Sequence, residues 1–311
     1  MKAGRINAGK TNVEFFKKAM ETCGLRNSYN IQNHSGGLSS KELRAELPAY
    51  LSLCTKMYLE WTDKWESVPN YFQMVKTCAD LSLSSPNGLF VLNSDEQWIW
   101  SCFVDEISYY LDNSILSIEG LDFAIQMANF MGRPKEKKEW RNKQERWIES
   151  LFGTYVLPKE KRFAVGMDNS GTLDRSLITT LLTRPISLNM ISKLEKWSEQ
   201  LGRKGKIAQE KSIRPFFLLK NALELIWHTM GDFGVVRSHS KTCAIAGNAP
   251  GYFLYAASDM DLSFKDNAFK QLINFPNCTG AVNEIHDIYH HAWGTERRRV
   301  GDSGIILEGM L

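Results

Sequence analysis

Pro134-Lys135-Glu136-Lys137-Lys138-Glu139-Trp140-Arg141-Asn142-Lys143-Gln144-Glu145-Arg146-Trp147-Ile148-Glu149-Ser150-Leu151-Phe152 is the stretch whose period settles the architecture. Proline suits the first turn of a helix, where its missing N–H has no intrahelical partner to lose. Trp140 and Trp147 stand seven residues apart, two helical turns, and so share one face. The intervening Lys, Arg and Glu are placed to pair at i,i+4 on the others. The stretch therefore predicts a long charged helix over 134–152, with two readings of its surface. In one, the charges form a solvated face and the tryptophans face a core. In the other, cations interleaved with aromatics hold a polyanion.

Helical signals continue on both sides. Thr11 with Glu14 forms a capping-box pair before Phe15, Phe16, Ala19 and Met20, with a stop expected at Gly24. Ser39 with Glu42 repeats the device before Leu43, Leu47, Leu51, Cys54, Tyr58 and Trp61, with Pro48 a kink or restart. Residues 84–88 read as a turn and 89–92 as a short strand. Ser94 with Gln97 opens a helix through Trp98, Phe103, Ile107 and Leu111, and a further helix runs from about Ile118 to Met131. Beyond 152, Lys161-Arg162-Phe163-Ala164-Val165-Gly166-Met167 makes the best local case for a strand. Leu188, Ile191, Leu194, Trp197 and Leu201 return to helical spacing before Gly202, and Pro215 to Met230 continue as an apolar helix. The expected fold is mainly α: two helical lobes with a basic junction and a few short strands at most. The expected divisions are an acidic N-terminal lobe over 1–131, a basic central segment over 132–220, and a C-terminal part over 221–311 packing with that segment as a second lobe.

Those divisions follow the charge. Residues 1–131 hold 11 Lys/Arg against 15 Asp/Glu, residues 132–220 hold 20 against 10, and residues 221–311 hold 7 against 10. A net +3 for the 311 residues thus conceals a strongly basic centre, the footprint of a polyanion binder. Residues 203–214 add five cations against one acid. The six cysteines form no C-x-x-C, which suits reduced thiols and an intracellular protein. No apolar run reaches membrane-spanning length and the N-terminus has no signal-like apolar core, so neither a transmembrane segment nor secretion is expected.

Three motif matches point elsewhere. Gly4-Arg5-Ile6-Asn7-Ala8-Gly9-Lys10-Thr11 fits G-x-x-x-x-G-K-[ST] and resembles a P-loop, though no buried strand precedes it. Asp168-Asn169-Ser170-Gly171-Thr172-Leu173 is similar to the nucleophile loop of haloacid dehalogenase-like phosphatases. That resemblance implies a phosphoryl-accepting role for Asp168 alone; an Asx-type turn explains the same residues. His239, Cys243, Cys278, His286 and His290 supply zinc-ligand types, with His286 and His290 at i,i+4, but their spacing matches no standard finger.

The expectation is a non-enzymatic single-stranded RNA-binding protein, with single-stranded DNA as a second possibility, that holds phosphates in a basic inter-lobe groove with little sequence preference. Lys137, Lys138, Arg141, Lys143, Arg146, Lys161, Arg162, Arg203, Lys204, Lys206, Lys211 and Arg214 are the expected phosphate contacts, and Trp140 and Tyr155 the stacking rings. No catalytic residue, metal or cofactor is assigned, and a homo-oligomer is expected. The general plan resembles the nucleoproteins of segmented or negative-strand RNA viruses, with no motif carrying the likeness. The alternatives are a matrix or capsid-like assembly protein, or an enzyme using the Gly4–Thr11 loop or Asp168.

Overall fold

The computed structural model describes residues 6–29, 47–80, 109–187, 189–211, 213–231, 240, 245–246, 249–274 and 285–286. Helix accounts for 76% of them, and the fold is mainly α with short antiparallel strands. The chain forms two compact units, one of residues 1–95 and 113–151, the other of residues 96–112 and 152–311.

The first unit is built on α1 (Ile6–Tyr29), α2 (Leu47–Thr62), α3 (Val68–Asp80), α4 (Leu111–Phe130, from Asn113 onward) and α5 (Pro134–Ser150). α1 packs on α2 and α3, where Phe16 and Met20 cover buried Leu51 and Cys78. α4 approaches α2 so closely that a Cβ on Gly120 would lie 3.3 Å from the Ala49 Cα. Lys56 Nζ donates across the same helix pair to the buried Glu119 Oε1 at 2.6 Å. α5 closes the unit: Trp140 and Trp147 are buried on its inner face, and Gln144 Nε2 donates to the Ile118 carbonyl at 3.2 Å.

The second unit joins a sheet of β1 (Tyr109–Tyr110), β4 (Gly166–Met167) and β5 (Leu173–Asp174) to a hairpin of β2 (Val156–Leu157) and β3 (Arg162–Phe163). Tyr109 pairs with Met167, and Gly166 with Asp174, all antiparallel. Its helices are α6 (Thr179–Ser187), α7 (Ile191–Arg203), α8 (Pro215–Met230), α9 (Ala249–Asp259) and α10 (Lys265–Ile273); β6 (Ile245–Ala246) pairs with β7 (Ile285–His286). α9 packs on α6 and α10, and α8 lies across β3, α6 and α7. Trp227, Phe253 and Phe264 stack nearly parallel, with centroids 5.0 to 6.1 Å apart.

Several expectations are corrected. α1 begins at Ile6 and runs through Gly24 to Tyr29, because packing on α2 and α3 outweighs the roughly 1 kcal/mol that glycine costs a helix. Thr11 is therefore no cap; its hydroxyl donates to the Asn7 carbonyl at 3.0 Å, and Glu14 accepts from the Tyr71 hydroxyl. Leu111 opens a helix instead of ending one, since Tyr109 and Tyr110 pair as β1. The 161–167 strand is two strands separated by Ala164 and Val165. The features read at 39–42 and 84–103 lie outside the described residues.

Candidate functional site

The basic centre divides between the two units, and in each the structure separates cations that face outward from cations already engaged. On α5, Trp140 and Trp147 fix the buried face. Lys135, Lys138, Arg141 and Arg146 accordingly fall on the outer arc and are exposed, with Arg133 beside them at the N-cap. Exposed acids on this helix are Glu139 and Glu145 only. Among the described residues, no ion pair engages Lys135, Lys138, Arg141 or Arg146. The arc therefore carries four cations, none of them ion-paired among the described residues, against two exposed acids.

The other expected contacts of α5 are already engaged within the unit. Lys137 donates to Asn129 Oδ1. Lys143 Nζ donates to the Ala79 carbonyl at 2.7 Å and lies 5.1 Å from the Trp147 ring centre, and burial lowers its pKa to about 8. Trp140, 2% exposed, packs on Phe72 at 6.3 Å and donates from Nε1 to Asp80 Oδ1 at 2.8 Å. It has no ring face open to a base, so its proposed stacking role is withdrawn.

In the second unit Tyr155 is fully buried and its hydroxyl donates to the Tyr109 carbonyl at 3.3 Å, which removes the other expected stacking ring. Arg162 is buried and pairs with Glu160, which also holds Arg175. Arg203 pairs with Glu199 one turn back. Arg214, the N-cap of α8, meets Glu195 of α7 through two bonds of 3.0 and 3.2 Å. Lys161, Lys204 and Lys206 are exposed; Lys204 and Lys206 flank Gly205 at φ +64, where a left-handed turn ends α7.

One cluster does converge. α8 lies across β3, and Asn221 Nδ2 donates to the Lys161 carbonyl at 3.1 Å. Lys211, just before α8, places its ammonium on the Gly153 carbonyl. The Lys161 backbone and Arg214 thus lie beside the first two turns of α8, with Lys211 four residues before its start. On the first turn stands Phe217, 48% exposed, with the Arg214 guanidinium carbon 5.4 Å from its ring centre. Sequence reasoning had absorbed Phe217 into the apolar helix. The signal was available: Pro215, Leu218, Leu219, Ala222, Leu223, Ile226 and Met230 form the buried stripe, and Phe217 falls outside it.

The three competing motifs fare differently. Asn7 to Thr11 lie within α1, so the N–H groups from Lys10 onward belong to the helical ladder and cannot cradle a phosphate as a P-loop does. Asp168 sits in the antiparallel β4–β5 hairpin. Its Oδ1 accepts from the N–H of Ser170 and Thr172, both at 2.8 Å, and from the Ser170 hydroxyl at 2.7 Å. These bonds hold its carboxyl below the usual carboxylate range and make it the organiser of a turn whose Gly171 has φ +88. His286 lies in β7. His239, Cys243, Cys278 and His290 lie outside the described residues, and no metal-ligand cluster occurs among the described ones. No described helix is long and apolar enough to cross a membrane.

No family model and no curated protein matches the chain. Among solved structures it is similar to a GH78 family rhamnosidase of Bacillus sp. GL1, with TM-score 0.54 and 8% identity over 88% of this chain and 26% of that one. The chain thus spans about a quarter of that enzyme's length, and the likeness is one of helical fold alone.

Proposed function

We propose that this protein binds the phosphate backbone of single-stranded RNA with little sequence preference. The observation that carries this reading is the outward row of Lys135, Lys138, Arg141 and Arg146 on α5, exposed and without ion-pair partners among the described residues. Such a row offers no base-edge recognition; its attraction comes from releasing counterions condensed on the nucleic acid. Lys161, Lys204 and Lys206, exposed in the second unit, extend the same chemistry. Binding along a strand favours neighbouring copies, so oligomerisation on RNA and an intracellular location belong to the same proposal.

The test is fluorescence anisotropy of a labelled uridine oligomer titrated with nuclease-treated protein across a salt series. Each single-strand phosphate contact contributes about 0.7 to the slope of log affinity against log salt. Replacing all four α5 cations by Gln should therefore flatten the slope by up to about 2.8 while leaving the far-UV circular dichroism unchanged. Absence of wild-type binding at low salt, or an unchanged slope in the variant, overturns the proposal. Self-assembly without nucleic acid would instead favour a matrix or capsid-like role.

A further inference from the structure

We infer that Phe217 is a nucleobase-stacking platform, held in place by Arg214 and Phe216 at the start of α8. This inference rests on the RNA-binding reading above and adds to it a means of preferring unpaired bases over bare phosphate. Phe217 is apolar and aromatic, yet it stands off the buried stripe of α8 with nearly half its surface open. Its position is fixed from two sides. Phe216 meets it edge-on, with centroids 5.7 Å apart and planes at 82°. The Arg214 guanidinium lies over the ring at 5.4 Å and is itself clamped by both oxygens of Glu195. A ring that is already ordered loses little side-chain freedom when a base stacks on it.

Charge complementarity selects the occupant. The exposed Lys161 lies where its carbonyl meets Asn221, one helical turn from Phe217, and the Arg214 guanidinium lies over the ring itself. Of the neighbouring carboxylates, Glu195 pairs with Arg214 and Glu160 with Arg162 and Arg175, while Glu210 is exposed beside Lys211. Cations beside an exposed aromatic match a single strand, where each nucleotide offers a π-face and a phosphate together. Duplex RNA keeps its bases stacked on one another and has no face to give.

The test compares a labelled uridine 12-mer with an abasic 12-mer carrying the same phosphates. Wild-type protein should bind the uridine strand about tenfold more tightly, the value of a single base–aromatic stack. Phe217→Leu, which keeps an apolar side chain at an exposed site, should erase that preference, and Phe217→Trp should keep it. All three proteins should show the same salt slope, because no phosphate contact changes. If the Leu variant still prefers the uridine strand, or the wild type never does, the platform is refuted while the backbone-binding reading stands. If the wild type binds neither strand at low salt, both fail. Circular dichroism melts establish that each variant is folded.

Discussion

Replacing Trp140 separates a core residue from a ligand platform. The indole is 2% exposed, packs on Phe72 and donates to Asp80 Oδ1 at 2.8 Å. Trp140→Phe keeps most of the packing and loses the hydrogen bond. A bond to a charged acceptor is worth about 1.5–3 kcal/mol, but the Asp80 side chain is 45% exposed and water replaces part of it. The loss should be about 1–2 kcal/mol. Trp140→Leu also removes ring volume from a site enclosed by α3 and α5, and the total should reach about 3 kcal/mol. Urea unfolding followed by far-UV circular dichroism measures both, as midpoints shifted at constant slope. RNA affinity of the folded variants should equal that of the wild type. A variant that unfolds like the wild type yet binds RNA tenfold more weakly would show that the ring serves a ligand, and the packing argument would be refuted.

Three further outcomes follow from local chemistry. Burial lowers the pKa of Lys143 to about 8, from the 10.5 of a solvated lysine, so between those values the unfolded chain binds more protons than the folded one. Stability should rise with pH across that window, and the difference between wild type and Lys143→Met should climb there and be flat below pH 8; parallel curves would refute the assignment. Gly231→Ala puts a Cβ 2.7 Å from the Trp227 carbonyl and 2.9 Å from its ring, so it should disturb the stack with Phe264 and cost about 1–3 kcal/mol. Gly171→Ala has nothing within 4 Å and should lose only the left-handed backbone penalty of about 1–2 kcal/mol, as thermal unfolding would show.

The long helices were legible because their signals are local. Proline at 134 and 215 marks two starts, and α8 runs from Pro215 to Met230, the bounds its apolar pattern suggests. Two-residue strands carry no period, so Tyr109–Tyr110 was absorbed into a neighbouring helical pattern; only pairing with Met167 and Gly166 makes it β. The sign of the central charge was equally plain, but availability was not. Whether Arg214 faces solvent or Glu195, or Lys137 meets Asn129, depends on which elements meet. The seven-residue spacing of Trp140 and Trp147 fixed a shared face without saying what covers it, and α3 and α4 proved to be the cover.

The chain passes between its two units at 95/96, 112/113 and 151/152, so neither unit is an uninterrupted piece of sequence. During synthesis, β1 emerges more than fifty residues before its partner β4. The nascent chain must carry two adjacent tyrosines with an unpaired strand edge while α4 and α5 are made, and late pairing of this kind slows folding and exposes an aggregation-prone edge. A fragment ending at residue 151 would keep that edge permanently open. One beginning at residue 152 would leave Gly166–Met167 with β5 alone. The protein is thus divisible by compactness and indivisible by cleavage: expressing either unit by itself calls for a graft of the 109–112 segment, not a cut.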